Sequence, residues 1–326
     1  MGFLRFLLAT LVVVSHVGIE PLGYNVGVWA VIIFYMLAGH VVTKLWAKRP
    51  HADLLPSIKW FYTDRLLRIY PLYFAALLVA TGIWLSGAKS YYLSEASNIA
   101  SWLGNLTIVP LNYYMYNGID RFTLIPPAWS LGAELQFYLI MPLLLTYPRV
   151  GALCAAGSFV VFICAHIGVL HADWYGYRLL FGVLFVFMIG VLIERRTLAS
   201  RCLLAAICVL ALLHVAALLI TGTRQVPDLE VSAGILLGIP LILLTSKARL
   251  SPAMHTLQQY AGATSYGLFV FHFPMIWLTE PLHLEKGWQF LLVFGLALAL
   301  AVAFHFILER PLWRHLRTSV AGKAFK

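Results

Sequence analysis

The chain has 326 residues, of which 61% are hydrophobic and 11% charged, with a mean hydropathy of +0.85 and a net charge of +10. A soluble globular chain carries about 45–50% apolar and about 25% charged residues, so this composition cannot cover a water-facing surface and excludes a soluble protein. The longest polar interval, Lys89 to Ala128, has room for a cap but not for a separate catalytic domain, and the basic residues flank apolar runs rather than forming a solvated face, which excludes nucleic acid as a partner.

A helix needs about 20 apolar residues to cross a hydrocarbon core about 30 Å thick. In chain order the sequence offers ten such runs, at 3–19, 24–46, 70–88, 128–147, 150–170, 177–194, 201–221, 230–246, 263–282 and 288–309. The expected fold class is therefore all-α, a polytopic membrane helical bundle of about ten transmembrane helices forming one membrane-embedded domain over 1–326. The first run resembles a signal-peptide core, with Arg5 ahead of Phe6–Val14, but no small-x-small cleavage site follows and it is read as retained. Pro71 is expected to open the third helix, and Pro126, Pro127 and Trp129 mark the entry of the fourth. The cysteines, Cys154 with Cys164 and Cys202 with Cys208, lie inside apolar runs without ligand spacing, so neither a disulfide nor a metal is expected. With a cytoplasmic N-terminus, only Lys89, Arg121, Arg178, Arg224 and Lys286 fall outside and the other 18 of the 23 basic residues fall inside. That asymmetry predicts an N-in, C-in orientation.

Titratable side chains within a bilayer are costly and are functional candidates by default. At 1.5 Å of rise per residue, His16 lies about 16 Å beyond Arg5 along its helix, Glu134 about 8 Å past Trp129, and His272 about 14 Å into its run. The three are expected at similar depth, in a shared polar cavity. Glu134 requires either a cationic partner or a proton, while His40, His166, His214 and His305 are read as hydrogen-bonding between helices. Arg65 and Arg68, at i and i+3, share one helix face. With Arg5 they form either a guanidinium fork for phosphate or positive-inside anchors.

The run Arg5-x10-His16, Phe34-Tyr35-x2-Ala38-Gly39, Arg65-x2-Arg68 before Pro71, Trp129-Ser-Leu-x2-Glu134-x2-Phe137-Tyr138, Ser265-Tyr266-x5-His272-x-Pro274 and Glu309-x-Pro311 together resemble the acyltransferase-3 family of bacterial membrane acyltransferases. Ala38 and His40 depart from the usual pattern, which leaves the second helix's part in substrate choice open. The resemblance implies O-acylation of a carbohydrate (a surface polysaccharide, lipopolysaccharide or lipid-linked glycan) in the cytoplasmic membrane, with cytoplasmic acyl-coenzyme A, chiefly acetyl-CoA, as donor. It implies a catalytic role for His16 and essential roles for Arg5, Arg65, Arg68 and Glu134, in the stand-alone form without an SGNH-type domain.

On this reading the arginines hold the donor's phosphates and its arm threads toward His16, the general base on a sugar hydroxyl, with an acyl-imidazole as the alternative. Glu134 either orients His16 or holds the acceptor, and Tyr138 and His272 are expected to touch substrate. The tyrosines and asparagines of 89–128, including Tyr91, Tyr92, Asn98, Asn105, Asn112 and Asn117, suit sugar contact and equally suit an interfacial belt. The rival class is a secondary transporter or glycan flippase, since several spans with central ionisable groups also suit alternating access.

Overall fold

The computed structural model describes residues 1–50, 52–222 and 228–313. Arg224, Arg314, Arg317, Lys323 and Lys326, which enter the charge asymmetry, lie outside the described residues. Among the described residues there are twelve α-helices and no strand: α1 (Gly2–His16), α2 (Val26–Ala47), α3 (Leu54–Leu85), α4 (Ile99–Thr107), α5 (Tyr114–Asn117), α6 (Ala128–Thr146), α7 (Pro148–His166), α8 (Leu180–Arg195), α9 (Leu198–Thr221), α10 (Asp228–Lys247), α11 (Pro252–Thr279) and α12 (Lys286–Phe304). All ten expected runs are helical, but among the described residues eight helices are long and apolar enough to cross a membrane. The first and ninth runs fall outside the eight. With 15 residues, α1 is about 22 Å long, and α11 opens on the polar stretch His255, Thr256, Gln258 and Gln259.

Proline does not start the third span. Pro71 lies inside the 32-residue α3, which begins at Leu54. The backbone bond lost there is offset by burial of Ile69, Leu72 and Tyr73 around it. The consequence matters for the site, because Arg65 and Arg68 belong to one continuous rod with the apolar span.

Helices α2 and α8 are mostly buried, while α9 and α12 present most of their apolar surface outward, as lipid-facing helices do. The α2–α8 crossing is backbone against backbone. A methyl added at Gly39 would meet the carbonyl oxygen of Phe187, and one at Gly190 would meet that of Met36. Small residues permit this approach, which supplies packing where no hydrophobic force acts between helices. One turn away, Tyr35 stacks on Phe187 at 4.4 Å and Phe187 on Phe137 at 4.4 Å, so three aromatic rings tie α2, α8 and α6 together.

The end of α1 is held by the start of α2. Asn25 caps α2 by accepting from the backbone N–H groups of Gly27 (3.0 Å) and Val28 (3.3 Å), and the Ser15 hydroxyl donates to the same oxygen at 2.7 Å. His16, the next residue, is thereby fixed in height.

Residues 89–127 form a cap over that end of the bundle, and its asparagines serve the cap's own backbone. Asn98 caps α4 in a box with Ser101, and Asn105 donates to the carbonyls of Ser101 and Phe122 while accepting from the Leu124 N–H. Asn112 donates to the carbonyls of Trp129 and Arg178, and Asn117 to that of Pro110. The amide groups, which the sequence left open to sugar or to an interfacial belt, are thus committed to the cap's own backbone and its neighbours.

The crossing generates a prediction. Gly190→Ala should destabilise the purified protein by about 1–3 kcal/mol, the usual cost of overpacking, whereas Gly82→Ala, with no atom within 4 Å of the added methyl, should not. Thermal melts of both variants in the same detergent check this; equal melting would show that the α2–α8 contact is not a tight constraint.

Candidate active site

Two polar constellations lie along α1, one at each end. At its first turn Arg5 enters a cavity of about 140 Å3 that is also lined by Arg65 and Arg68 of α3, Glu134 and Tyr138 of α6, Phe34 and Tyr35 of α2, and Tyr266 and Phe269 of α11. The spacing rules place these groups. Arg65 and Arg68 stand at i and i+3, Glu134 and Tyr138 at i and i+4, so each pair shares a face. Tyr138 donates to the Glu134 carboxylate, and the Arg65 guanidinium lies over the Tyr138 ring, 5.8 Å from its centroid.

The guanidiniums are held differently. Arg65 pairs with its neighbour Asp64. Arg68 Nη1 lies 3.4 Å from Glu309 Oε1, and the other oxygen of that buried carboxylate accepts from His305 Nδ1 at 2.9 Å. Arg5 has no ion-pair partner among the described residues. Three guanidiniums and one carboxylate line the chamber itself, so it attracts anions, and planar guanidiniums suit phosphate.

At the other end of α1, His16 Nδ1 and His272 Nε2 are 3.0 Å apart, with the rings stacked at 5.1 Å between centroids. His272 Nδ1 lies 3.3 Å from the Leu268 carbonyl oxygen. A carbonyl only accepts, so His272 carries its proton on Nδ1 and, when neutral, presents a bare Nε2. His16 must then donate from Nδ1, which leaves its own Nε2 with a free lone pair. His272 is fully buried and His16 is the more exposed residue of the pair. The His16 ring also meets Phe273 at 5.3 Å, and Phe273 meets Tyr92 of the cap at 5.4 Å.

The structure separates what depth alone grouped. His16 and His272 meet, but Glu134 sits with the guanidiniums and is not the partner of His16. Phe269 lines the chamber and its ring lies 6.1 Å from that of His272, so it stands between the two constellations. Rise per residue gives height but no bearing around the helix axis, and the bond to Tyr138 turns Glu134 toward the arginines. Nor is His272 a free substrate contact, since both its ring nitrogens are engaged within the protein.

Of the four histidines expected to hydrogen-bond between helices, only His214 does so among the described residues; His40 and His166 approach a carboxylate on another helix without forming a hydrogen bond to it, and His305 bonds within its own segment. His40 meets Glu194 of α8 at 3.3 Å, His166 meets Asp228 of α10 at 3.4 Å, and His214 accepts or donates to Ser232 at 2.7 Å, while His305 pairs locally with Glu309. A larger cavity of about 540 Å3 between α7, α8, α9 and α10 is almost wholly apolar and lies away from the arginines and from His16. Residues missed by sequence reasoning are Arg178, which pairs with Asp173 at 2.7 Å and lies over the Trp129 ring at 4.5 Å, and the Arg68 partner Glu309. Glu309-x-Pro311, one of the motifs behind the family resemblance, is the only signal of the latter.

A family profile described as an acyltransferase domain matches residues 1–310. An uncharacterized protein of Aquifex aeolicus (strain VF5) is 32% identical over 186 residues, 55% of this chain and 83% of that protein. Nodulation protein 10 of Rhizobium leguminosarum bv. viciae is 30% identical over 152 residues, 40% of this chain and 39% of its own length. Acyltransferase MdmB of Streptomyces mycarofaciens is 30% identical over 154 residues, 43% of this chain and 35% of its own. The match thus spans little more than a third of the two relatives that carry functional names. No solved structure matches significantly.

The Arg68–Glu309 pair should be measurable as a coupling. Glu309→Ala is expected to cost about 1–3 kcal/mol, the range for removing a partner of a charged, partly buried group. The double variant with Arg68→Ala should lose less than the sum of the two single losses. Strictly additive shifts in thermal melts would contradict the pairing.

Proposed function

The chain belongs to the acyltransferase-3 family of membrane acyltransferases, and we propose that it moves an acyl group, acetyl in the first instance, from acyl-coenzyme A to a hydroxyl of a cell-envelope carbohydrate. The arginine end faces the cytoplasm of a cytoplasmic membrane, with both termini on that side, and the cap faces outward. The membrane domain carries the transfer chemistry.

The observation that carries this reading is that α1 holds both working ends. Arg5 lines the anion-attracting chamber, and His16, eleven residues and about 16 Å further along, presents a free Nε2 from the more exposed residue of an imidazole pair. Coenzyme A is a polyanion with a long, nearly uncharged arm that ends in the acyl thioester. Its phosphates lie against Arg5, Arg65 and Arg68, and the arm passes Phe34 and Phe269, whose rings turn to let the tip reach His16.

The chemistry then balances at two groups. His16 Nε2 takes the proton of the acceptor hydroxyl as that oxygen attacks the thioester carbonyl carbon. The new C–O bond forms, the C–S bond breaks, and the departing thiolate receives the proton from the imidazolium. His272 keeps His16 in the tautomer that can act as base and shares the charge of its protonated form. Glu134, bonded by Tyr138, offsets part of the guanidinium charge and so permits release of coenzyme A. The acceptor enters under the cap, where Tyr92 and Phe273 lead to His16.

Membranes supplied with radiolabelled acetyl-CoA should accumulate label as an ester on glycan; uptake of an unmodified solute with no ester formed would favour a transporter. His16→Ala should lower transfer by about 10²–10⁴-fold, the usual contribution of a general base, with unchanged protein level. Undiminished esterification would remove His16 from the mechanism. Arg65→Ala and Arg68→Ala should each raise the KM for acetyl-CoA about tenfold with little change in kcat, as for lost charge-assisted contacts. An unchanged KM would assign both to anchoring.

A further inference from the structure

Five hydroxyl-bearing side chains line the arginine chamber: Tyr35, Ser130, Tyr138, Ser265 and Tyr266. Four of them have spent their proton inside the protein. Ser130 donates to the Pro127 carbonyl at 2.9 Å, Ser265 to that of Gly262 at 2.9 Å, Tyr266 to that of Ile69 at 3.1 Å, and Tyr138 to Glu134. The Tyr35 hydroxyl is buried and has no hydrogen-bond partner among the described residues.

A buried hydroxyl left without a partner is destabilising, and nothing in the packing calls for it. The ring is pinned between helices by its stack on Phe187 at 4.4 Å, a contact that a phenylalanine would make equally well. The oxygen therefore answers to something that enters the chamber.

Its height indicates what that is. Tyr35 stands nine residues from the start of α2 and twelve from its end, about 13 and 18 Å respectively, so it meets the arginine chamber from midway along its helix. A phosphate held at the arginines is followed by an arm whose hydrogen-bond acceptors are carbonyl oxygens: two amides and the thioester. A tyrosine hydroxyl donates to such an oxygen directly. Resting on the function proposed above, we infer that Tyr35 is a donor-binding residue whose hydroxyl hydrogen-bonds a carbonyl oxygen of the acyl-coenzyme A arm.

The test is Tyr35→Phe, which removes one oxygen and keeps the stack. Equal thermal melting of the variant and wild type verifies that the fold is intact. With acetyl-CoA varied, the variant should show a KM raised about 5–15-fold at nearly unchanged kcat if the partner is an amide, and desulfo-coenzyme A, which keeps both amides and lacks the thioester, should bind more weakly by a similar factor. If the partner is the thioester carbonyl, kcat falls about tenfold or more while desulfo-coenzyme A binds as to wild type. Unchanged kcat, KM and desulfo-coenzyme A binding would overturn the assignment of Tyr35 alone. A wild-type protein that forms no ester from acetyl-CoA would instead overturn the transferase reading itself.

Discussion

Charge buried in hydrocarbon persists only where it is paired or gathered around a recess that another ion can enter, and the arrangement of α1, α3 and α6 follows from that constraint. Arg65 and Arg68 are carried into the bundle on one uninterrupted helix, and each has a carboxylate, Asp64 or Glu309. Arg5 has none among the described residues and shares its chamber with Glu134. The chamber is thus short of negative charge in the resting protein. On the proposed reading a donor phosphate fills that shortfall, and the Glu134 carboxylate limits how tightly it is held.

The imidazole pair solves a different problem. A histidine alone in an apolar setting has no fixed tautomer, and a base with its proton on the wrong nitrogen cannot act. The chain from the Leu268 carbonyl through His272 to His16 determines each proton's position in turn, and the Ser15–Asn25 contact holds the last member at the helix end. Tautomer and height are set by separate elements, α11 and α2, which is why α1 packs between them.

How much of this could be seen in the chain alone depends on what each quantity measures. The ten apolar runs reappear as helices, because 20 apolar residues in a row have few alternatives in a bilayer. The identities of Arg5, His16, Arg65, Arg68 and Glu134 stood out as ionisable groups in or beside such runs. Bearing around the helix did not. It takes the Tyr138–Glu134 bond and the Phe269 ring to show that the carboxylate keeps company with arginines and the imidazole with another imidazole. Pro71 misled because proline usually breaks a helix, and here the burial of Tyr73 and its neighbours carries α3 through it. The partners of the cap asparagines were not legible, because an amide's chemistry is the same toward a sugar as toward a backbone, and only the folded loop shows which it meets.

The central claim is that a donor held by guanidiniums at one end of α1 reaches an imidazole at the other. A cryo-electron-microscopy map of the full chain in nanodiscs with a non-hydrolysable acetyl-CoA ether analogue tests it most directly. The expected map shows the phosphates against Arg5, Arg65 and Arg68, the Phe269 ring turned aside and the acetyl group beside His16 Nε2. An analogue seated in the apolar cavity between α7 and α10, or a His16 ring walled off from the arginine chamber with the analogue bound, would contradict it.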